Sequence, residues 1–199
     1  MWIKICGMTT PDAVAAALDA GVDAIGFVFA KSVRQVTPEQ ATRLAAPARG
    51  RIRCVAVTRH PSQHDIDQIL QDFNPDVLQT DSADLRSLQV PRQLELLPVL
   101  RNAQDGDHLP SRLLFEGIAS GTGMPCDWSA AHQVARRAEL VLAGGLNPNN
   151  VASAIARVRP FGVDVSTGVE TRPGVKSPAQ IALFVTAARA EGVAHEDSL

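Results

Sequence analysis

Lys4 and Cys6 stand two residues apart in Trp2-Ile3-Lys4-Ile5-Cys6, a stretch that reads as a strand. Side chains at that spacing share one face, so an ammonium would lie one layer below a thiol. A nearby cation favours the thiolate, the form that acts as base or nucleophile. The pattern also fits an inert core cysteine above a lysine that reaches out of the floor of the fold. Farther on, Leu114-Phe115-Glu116 leads into the Gly-rich run 117–123. A carboxyl group at a strand end beside a mobile loop suits a general acid; a solvated turn is the plain alternative. Gly144-Gly145 and Ser166-Thr167-Gly168 each follow a late apolar run. Two such turns could offer backbone N–H groups to a phosphate, or could be tight turns only. Asp164 shares a face with Ser166, either beneath a ligand or paired with a cation such as Lys4. Arg34 sits in a loop with Lys31, where its planar fork could grip a carboxylate or simply be solvated.

These groups need a scaffold that aims strand ends at one place. Short runs rich in Val, Ile and Leu alternate with Ala-rich stretches of helical spacing. The strand candidates are Trp2–Cys6, Ala24–Phe29, Ile52–Thr58, Asp76–Gln79, Leu94–Leu100, Arg112–Glu116, Leu140–Ala143 and Gly162–Val165. Most are almost wholly apolar, as in a parallel sheet covered on both faces. The helix candidates are Pro11–Ala20, Pro38–Ala46, Ser62–Asp72, Trp128–Ala138, Pro148–Val158 and Pro178–Ala190, with Ser82–Leu88 as a short one. Thr10-Pro11, Thr37-Pro38, Asn147-Pro148 and Ser177-Pro178 pair an N-cap type with proline at the first helical position. Gly21 and Gly192 stand where C-terminal caps belong. Residues Asn102–Pro110 read as a loop in place of a fifth helix. This alternation fits a single-domain (β/α)8 TIM barrel over residues 1–192, with a degenerate fifth helix and a frayed tail at 193–199. An open doubly wound sheet would show a G-x-G-x-x-G fingerprint after its first strand, and Gly7-Met8-Thr9 is not one. In a barrel the chemistry belongs at the C-terminal strand ends, with phosphate at the last two turns.

The composition narrows the partners. With 45% hydrophobic residues and a net charge of -2 in 199 residues, the chain is not of the disordered class. Three widely spaced cysteines argue against a disulfide scaffold and for a reducing, cytoplasmic setting. No apolar run is long enough to span a bilayer, and no basic excess points to nucleic acid. The expected partner is a small molecule. His60 and His64 are four apart, but no further ligand completes a metal site. Cys54 reads as core, and Cys126 has no partner at metal spacing.

Five stretches together carry a specific likeness: Lys4-Ile5-Cys6-Gly7; Gly26-Phe27-Val28-Phe29 with Ser32 and Arg34; Ser120-Gly121-Thr122-Gly123 before Asp127-Trp128; Leu142-Ala143-Gly144-Gly145-Leu146; and Gly162–Glu170 followed by Pro173-Gly174 and Lys176. From Trp2 to about Phe184 the chain resembles the phosphoribosylanthranilate isomerase family. The resemblance implies an Amadori rearrangement in tryptophan biosynthesis, run by acid and base with no cofactor, on a phosphosugar substrate, by a monomer or a homodimer. It implies that Cys6 is the base and Glu116 the acid. It places Arg34 on the substrate carboxylate, and Gly144, Gly145, Ser166 and Gly168 on the phosphate. Lys4, Gln79, Thr122 and Asp164 join the substrate-binding set. This chain departs from the family pattern in having Glu116 for the usual Asp, Val33 for a Pro, and Gln79-Thr80-Asp81-Ser82 for Gln-Leu-His-Gly. Two other readings follow from the same residues. A barrel isomerase serving histidine biosynthesis as well would use paired Asp residues, and a non-catalytic barrel would bind the sugar phosphate without turnover.

Overall fold

In the computed structural model, which describes residues 1–102, 109–117 and 126–196, the apolar runs form eight parallel strands. They are β1 (Trp2–Cys6), β2 (Ala24–Val28), β3 (Arg53–Val57), β4 (Val77–Asp81), β5 (Glu95–Leu100), β6 (Arg112–Phe115), β7 (Glu139–Leu142) and β8 (Gly162–Val165). Each pairs with the next, and β8 pairs back onto β1, so the barrel is closed. The closing register sets Trp2 against Gly162 and Lys4 against Asp164. Closure removes every sheet edge, and both faces of each strand are buried.

Strand side chains alternate in and out with period two. Ala24, Val55, Val77, Leu97, Val99, Leu114, Val141 and Ala143 pack inside the barrel. Ile3, Ile5, Ile25, Phe27 and Leu113 belong to the larger core between sheet and helices. Continuing the inward series one step past the apolar layer brings Cys6, Asp81, Arg101, Glu116 and Ser166 to the C-terminal mouth. The fold thus delivers five reactive or polar groups to one end from five different strands.

The helical shell is α1 (Pro11–Asp19), α2 (Pro38–Ala45), α3 (Gln63–Asp72), α4 (Ser82–Leu85), α5 (Trp128–Ala135), α6 (Val151–Val158) and α7 (Pro178–Glu196). Thr10 caps α1 through the Ala13 N–H, and Thr37 with Gln40 makes a reciprocal capping box on α2. Of the loop expected at Asn102–Pro110 in place of a fifth helix, residues 103–108 lie outside the described residues. No helix among them is long and apolar enough to cross a membrane.

Several features differ from the sequence expectation: α4 and α5 stop three residues early, at Leu85 and Ala135, and α7 runs past Ala190 to Glu196. The helix expected from Pro148 begins at Val151, because Asn147 and Asn150 turn their side chains back onto the preceding loop. Gly192 lies inside α7 and does not cap it; a Cβ there would sit 2.6 Å from Met1 Cβ, so the glycine makes room for the N-terminus. A short antiparallel pair, β9 (Glu170–Arg172) with β10 (Val175–Lys176), follows β8 and was not foreseen.

At the closing seam, a Cβ on Gly162 would stand 2.7 Å from the Trp2 carbonyl oxygen. Gly162→Ala should therefore push β8 from β1 and lower stability by about 1–3 kcal/mol, the range for overpacking. Urea unfolding measures this, and an unchanged midpoint would show that the seam is slack.

Candidate active site

Cys6 sits at the tip of β1, buried, with Lys4 one layer beneath it. Lys4 is fully buried, and its Nζ donates to Asp164 Oδ1 at 2.9 Å. Burial works against the ammonium, but Asp164 and the neighbouring Cys6 outweigh it, and the Lys4 pKa is raised. Between the two readings left open for Lys4 and Asp164, the structure chooses the internal pair. Gly26 faces Cys6 across the β1–β2 pairing, and a Cβ there would lie 3.0 Å from Cys6 Sγ and 3.1 Å from Lys4 Cε. That missing side chain is the room in which lysine and thiol meet.

The thiol itself is pushed up by burial, and Lys4 and Lys176 pull the other way without overcoming it. The expected direction of the Lys4 effect is therefore present, yet the net shift is upward. Cys54 and Cys126 are held by burial at about 11. They lack an adjacent ammonium, which separates them from Cys6.

Arg34 lies beside this group, since a Cβ on Gly7 would meet both Arg34 Cδ (2.6 Å) and Ser166 Oγ (3.2 Å). Its Nε and Nη2 donate to Glu170 Oε1 and Oε2 at 2.7 and 2.8 Å. Lys176 Nζ donates to Glu170 Oε1 at 2.8 Å and to the Ser166 carbonyl at 3.0 Å. Burial alone would raise the Glu170 carboxyl, but the bonds from Arg34 and Lys176 prevail and hold it at about 2. Burial depresses the Lys176 ammonium. The unforeseen β9–β10 hairpin thus exists to bring Glu170 and Lys176 over the mouth, and the Thr9 hydroxyl ties down its Gly174 carbonyl at 2.8 Å. Arg34 Nη1 has no acceptor among the described residues, so one corner of the guanidinium is unpaired there.

The two Gly-rich turns converge. Gly144 and Gly145 have φ of 90° and 64°, and their N–H groups have no acceptor among the described residues. Asn150 braces this turn by donating to the Gly145 carbonyl (2.9 Å) while accepting from the Asn147 N–H (2.8 Å). The Gly168 position touches the other turn so closely that a Cβ would lie 1.9 Å from the Leu146 carbonyl oxygen. Unpaired N–H groups next to Ser166 and the buried Lys176 suit an anion.

Glu116 follows β6, where its Oε2 accepts from Arg101 Nη1 at 3.2 Å. Arg101 Nε and Nη2 donate to Asp81 Oδ1 at 3.0 and 2.7 Å. Gln79 is buried one inward step below Asp81, and its Oε1 has no hydrogen-bond partner among the described residues. Thr122 lies outside the described residues. Among the described residues, His60, Asp81 and Asp84 bring three ligand-type atoms within 4.8 Å of one another. The carboxylates there already pair with other side chains, Asp84 with His60 and Asp81 with Arg101. Sequence reasoning missed Glu170, Lys176, Asn150 and Arg101 as site residues. The first two stood inside a quoted motif, but nothing local says that a hairpin folds them back across the mouth.

A family model for N-(5'-phosphoribosyl)anthranilate (PRA) isomerase matches residues 3–187. The protein named N-(5'-phosphoribosyl)anthranilate isomerase from Rhizobium etli is 39% identical over 205 residues, covering 93% of this chain and 92% of that one. The crystal structure of TrpF from Jonesia denitrificans is similar with a TM-score of 0.80 and 36% identity, over 96% and 98% of the two chains. A crystal structure of phosphoribosyl anthranilate isomerase in complex with reduced 1-(o-carboxyphenylamino)-1-deoxyribulose 5-phosphate has a TM-score of 0.77 and 30% identity, over 96% and 99%.

Glu170 also gives a pH prediction. Its pKa falls from an ordinary 4.5 to about 2 on folding, so its contribution is complete above 4.5 and fades as pH drops toward 2. Glu170→Gln should be less stable than the parent near neutrality, and the gap should close through that acid window. Thermal melts across pH test this; a gap independent of pH would contradict it.

Proposed function

Because the chain belongs to the N-(5'-phosphoribosyl)anthranilate isomerase family, we propose that its barrel mouth converts N-(5'-phosphoribosyl)anthranilate to 1-(2-carboxyphenylamino)-1-deoxyribulose 5-phosphate, a step of tryptophan biosynthesis. The observation that carries this reading is the placement of a lysine-backed thiol, Cys6, beside an anion cradle made by the two converging turns.

The phosphate binds at Gly144, Gly145, Ser166 and Gly168, which sets the ribose between β1 and β6. Arg34, held by Glu170, offers its remaining corner to the anthranilate carboxylate. Lys4 and Asp164 lie beneath the substrate and act on it through Cys6. Glu116 gives a proton to the furanose ring oxygen. The C1–O bond breaks, the nitrogen lone pair forms a C=N bond to C1, and the cationic imine makes the C2 proton acidic. Cys6, as thiolate, takes that proton, and the electron pair becomes the C1–C2 double bond of an enolamine. Loss of the C2 hydroxyl proton and protonation at C1 complete the ketone. The order matters for a thiol that burial holds protonated: the positive imine arrives next to Lys4 and Lys176 and adds to the field favouring thiolate. The base is therefore strengthened when it is needed.

The decrease in fluorescence of N-(5'-phosphoribosyl)anthranilate, followed with purified protein, tests the activity directly. Cys6→Ser and Glu116→Gln should each reduce kcat/KM by about a hundredfold or more, the lower range for acid–base groups. Glu116→Asp should retain far more activity than Glu116→Gln. Equal activity of the Gln and Asp variants would remove Glu116 from the role of acid.

A further inference from the structure

A general acid must hold a proton at working pH, and an arginine within hydrogen-bond distance works against that. An adjacent opposite charge favours a carboxylate over the protonated acid. Glu116 has such an arginine, with Arg101 Nη1 at 3.2 Å. The guanidinium, however, is shared. Its Nε and Nη2 go to Asp81 Oδ1 at 3.0 and 2.7 Å, both shorter than the bond to Glu116. All three side chains are largely buried, at 14% exposure for Asp81, 22% for Arg101 and 18% for Glu116, so their charges are screened weakly. With both carboxylates ionised the trio carries one net negative charge, and one proton on Glu116 makes it neutral.

We propose that Asp81 and Arg101 are positioning residues for the Glu116 carboxyl: Arg101 fixes its orientation, and Asp81 offsets Arg101's charge so that Glu116 can carry the proton it donates. This inference rests on the reading of Glu116 as the acid. The pair is built from two neighbouring strand ends. Asp81 closes β4, two residues beyond the expected strand end at Gln79, and Arg101 directly follows β5, which pairs with β4 through Asp81 and Val99. Asp81 occupies the position where the family pattern noted above has His, so a fixed negative charge replaces a group that is neutral or positive. The methylene by which Glu116 exceeds the family's Asp gives its carboxyl a longer reach along the mouth, toward Arg101.

Among the described residues, the other charged or titratable groups near the trio do not substitute for Asp81. Arg59, from the end of β3, reaches Asp81 Oδ2 at 3.9 Å but is half exposed. Cys126, in the segment before α5, lies near Glu116, and burial holds its thiol neutral with a pKa of about 11, while Asp127 caps α5 through the Ser129 and Ala130 N–H groups. β7 meets β6 at this level with Leu142 and Ala143. His60 is turned to Asp84.

The test is the pH profile of kcat/KM together with the titration of the residue 116 side-chain carboxyl, read by carbon NMR without substrate. In Asp81→Asn, Arg101 acts on Glu116 alone. The alkaline limb of the profile and the titration midpoint should both move down by about one unit, with about a tenfold loss of kcat/KM on the alkaline side. In Arg101→Gln both should move up. Arg101→Lys should keep the limb near its parent position while lowering kcat, because a point charge lacks the planar fork. If Arg101→Gln does not fold, Asp81→Asn decides by the same two readouts. A limb and midpoint unmoved in Asp81→Asn, with Glu116→Gln still inactive, would overturn the pair and leave the acid standing. A Glu116→Gln enzyme as active as its parent would overturn the acid, and this inference with it.

Discussion

A buried ammonium paired with a buried carboxylate, Lys4 with Asp164, joins the first strand to the last and lies under the thiol. An unpaired charge in that interior would cost several kcal/mol, so each partner requires the other. The pair lies in register on the seam that closes the barrel, where a mismatch of one residue would strand both charges. Apolar residues of similar volume would pack at least as well there, so the ion pair is better explained by what it does to Cys6 than by stability. Closure and chemistry thus depend on the same contact.

A second constraint is the treatment of cations at the mouth. Arg34, Lys176 and Arg101 are each committed to a carboxylate before any substrate arrives. Glu170 serves two of them, which keeps Arg34 oriented while one corner of its guanidinium stays open. Preorganised charges of this kind need no rearrangement when charge develops in the reaction.

Much of the architecture was legible along the chain. The period-two and apolar-run signals placed every barrel strand to within one or two residues, because burial on both faces leaves little choice of residue type. The capping pairs Thr10-Pro11 and Thr37-Pro38 marked true helix starts. Asn147-Pro148 did not, because Asn150 turns its side chain back onto the Gly144–Gly145 turn and the regular helix starts at Val151. The hairpin after β8 was invisible for a different reason: nothing along the segment shows that Glu170 will meet Arg34, from far earlier in the chain, and Lys176 at once.

The sequence by itself determined the alternation of elements, the thiol two positions beyond a lysine, and the glycines of the last two turns. Each of these is a local property, governed by spacing along one segment. Only the tertiary structure decided whether Lys4 points inward or out of the floor, that Asp164 answers it, that Glu170 clamps Arg34, and that Arg101 bridges Asp81 to Glu116. Those outcomes join residues from different strands, between 15 and 160 positions apart. The strength and direction of a charge interaction depend on distance and burial in space, and no spacing along the chain encodes either.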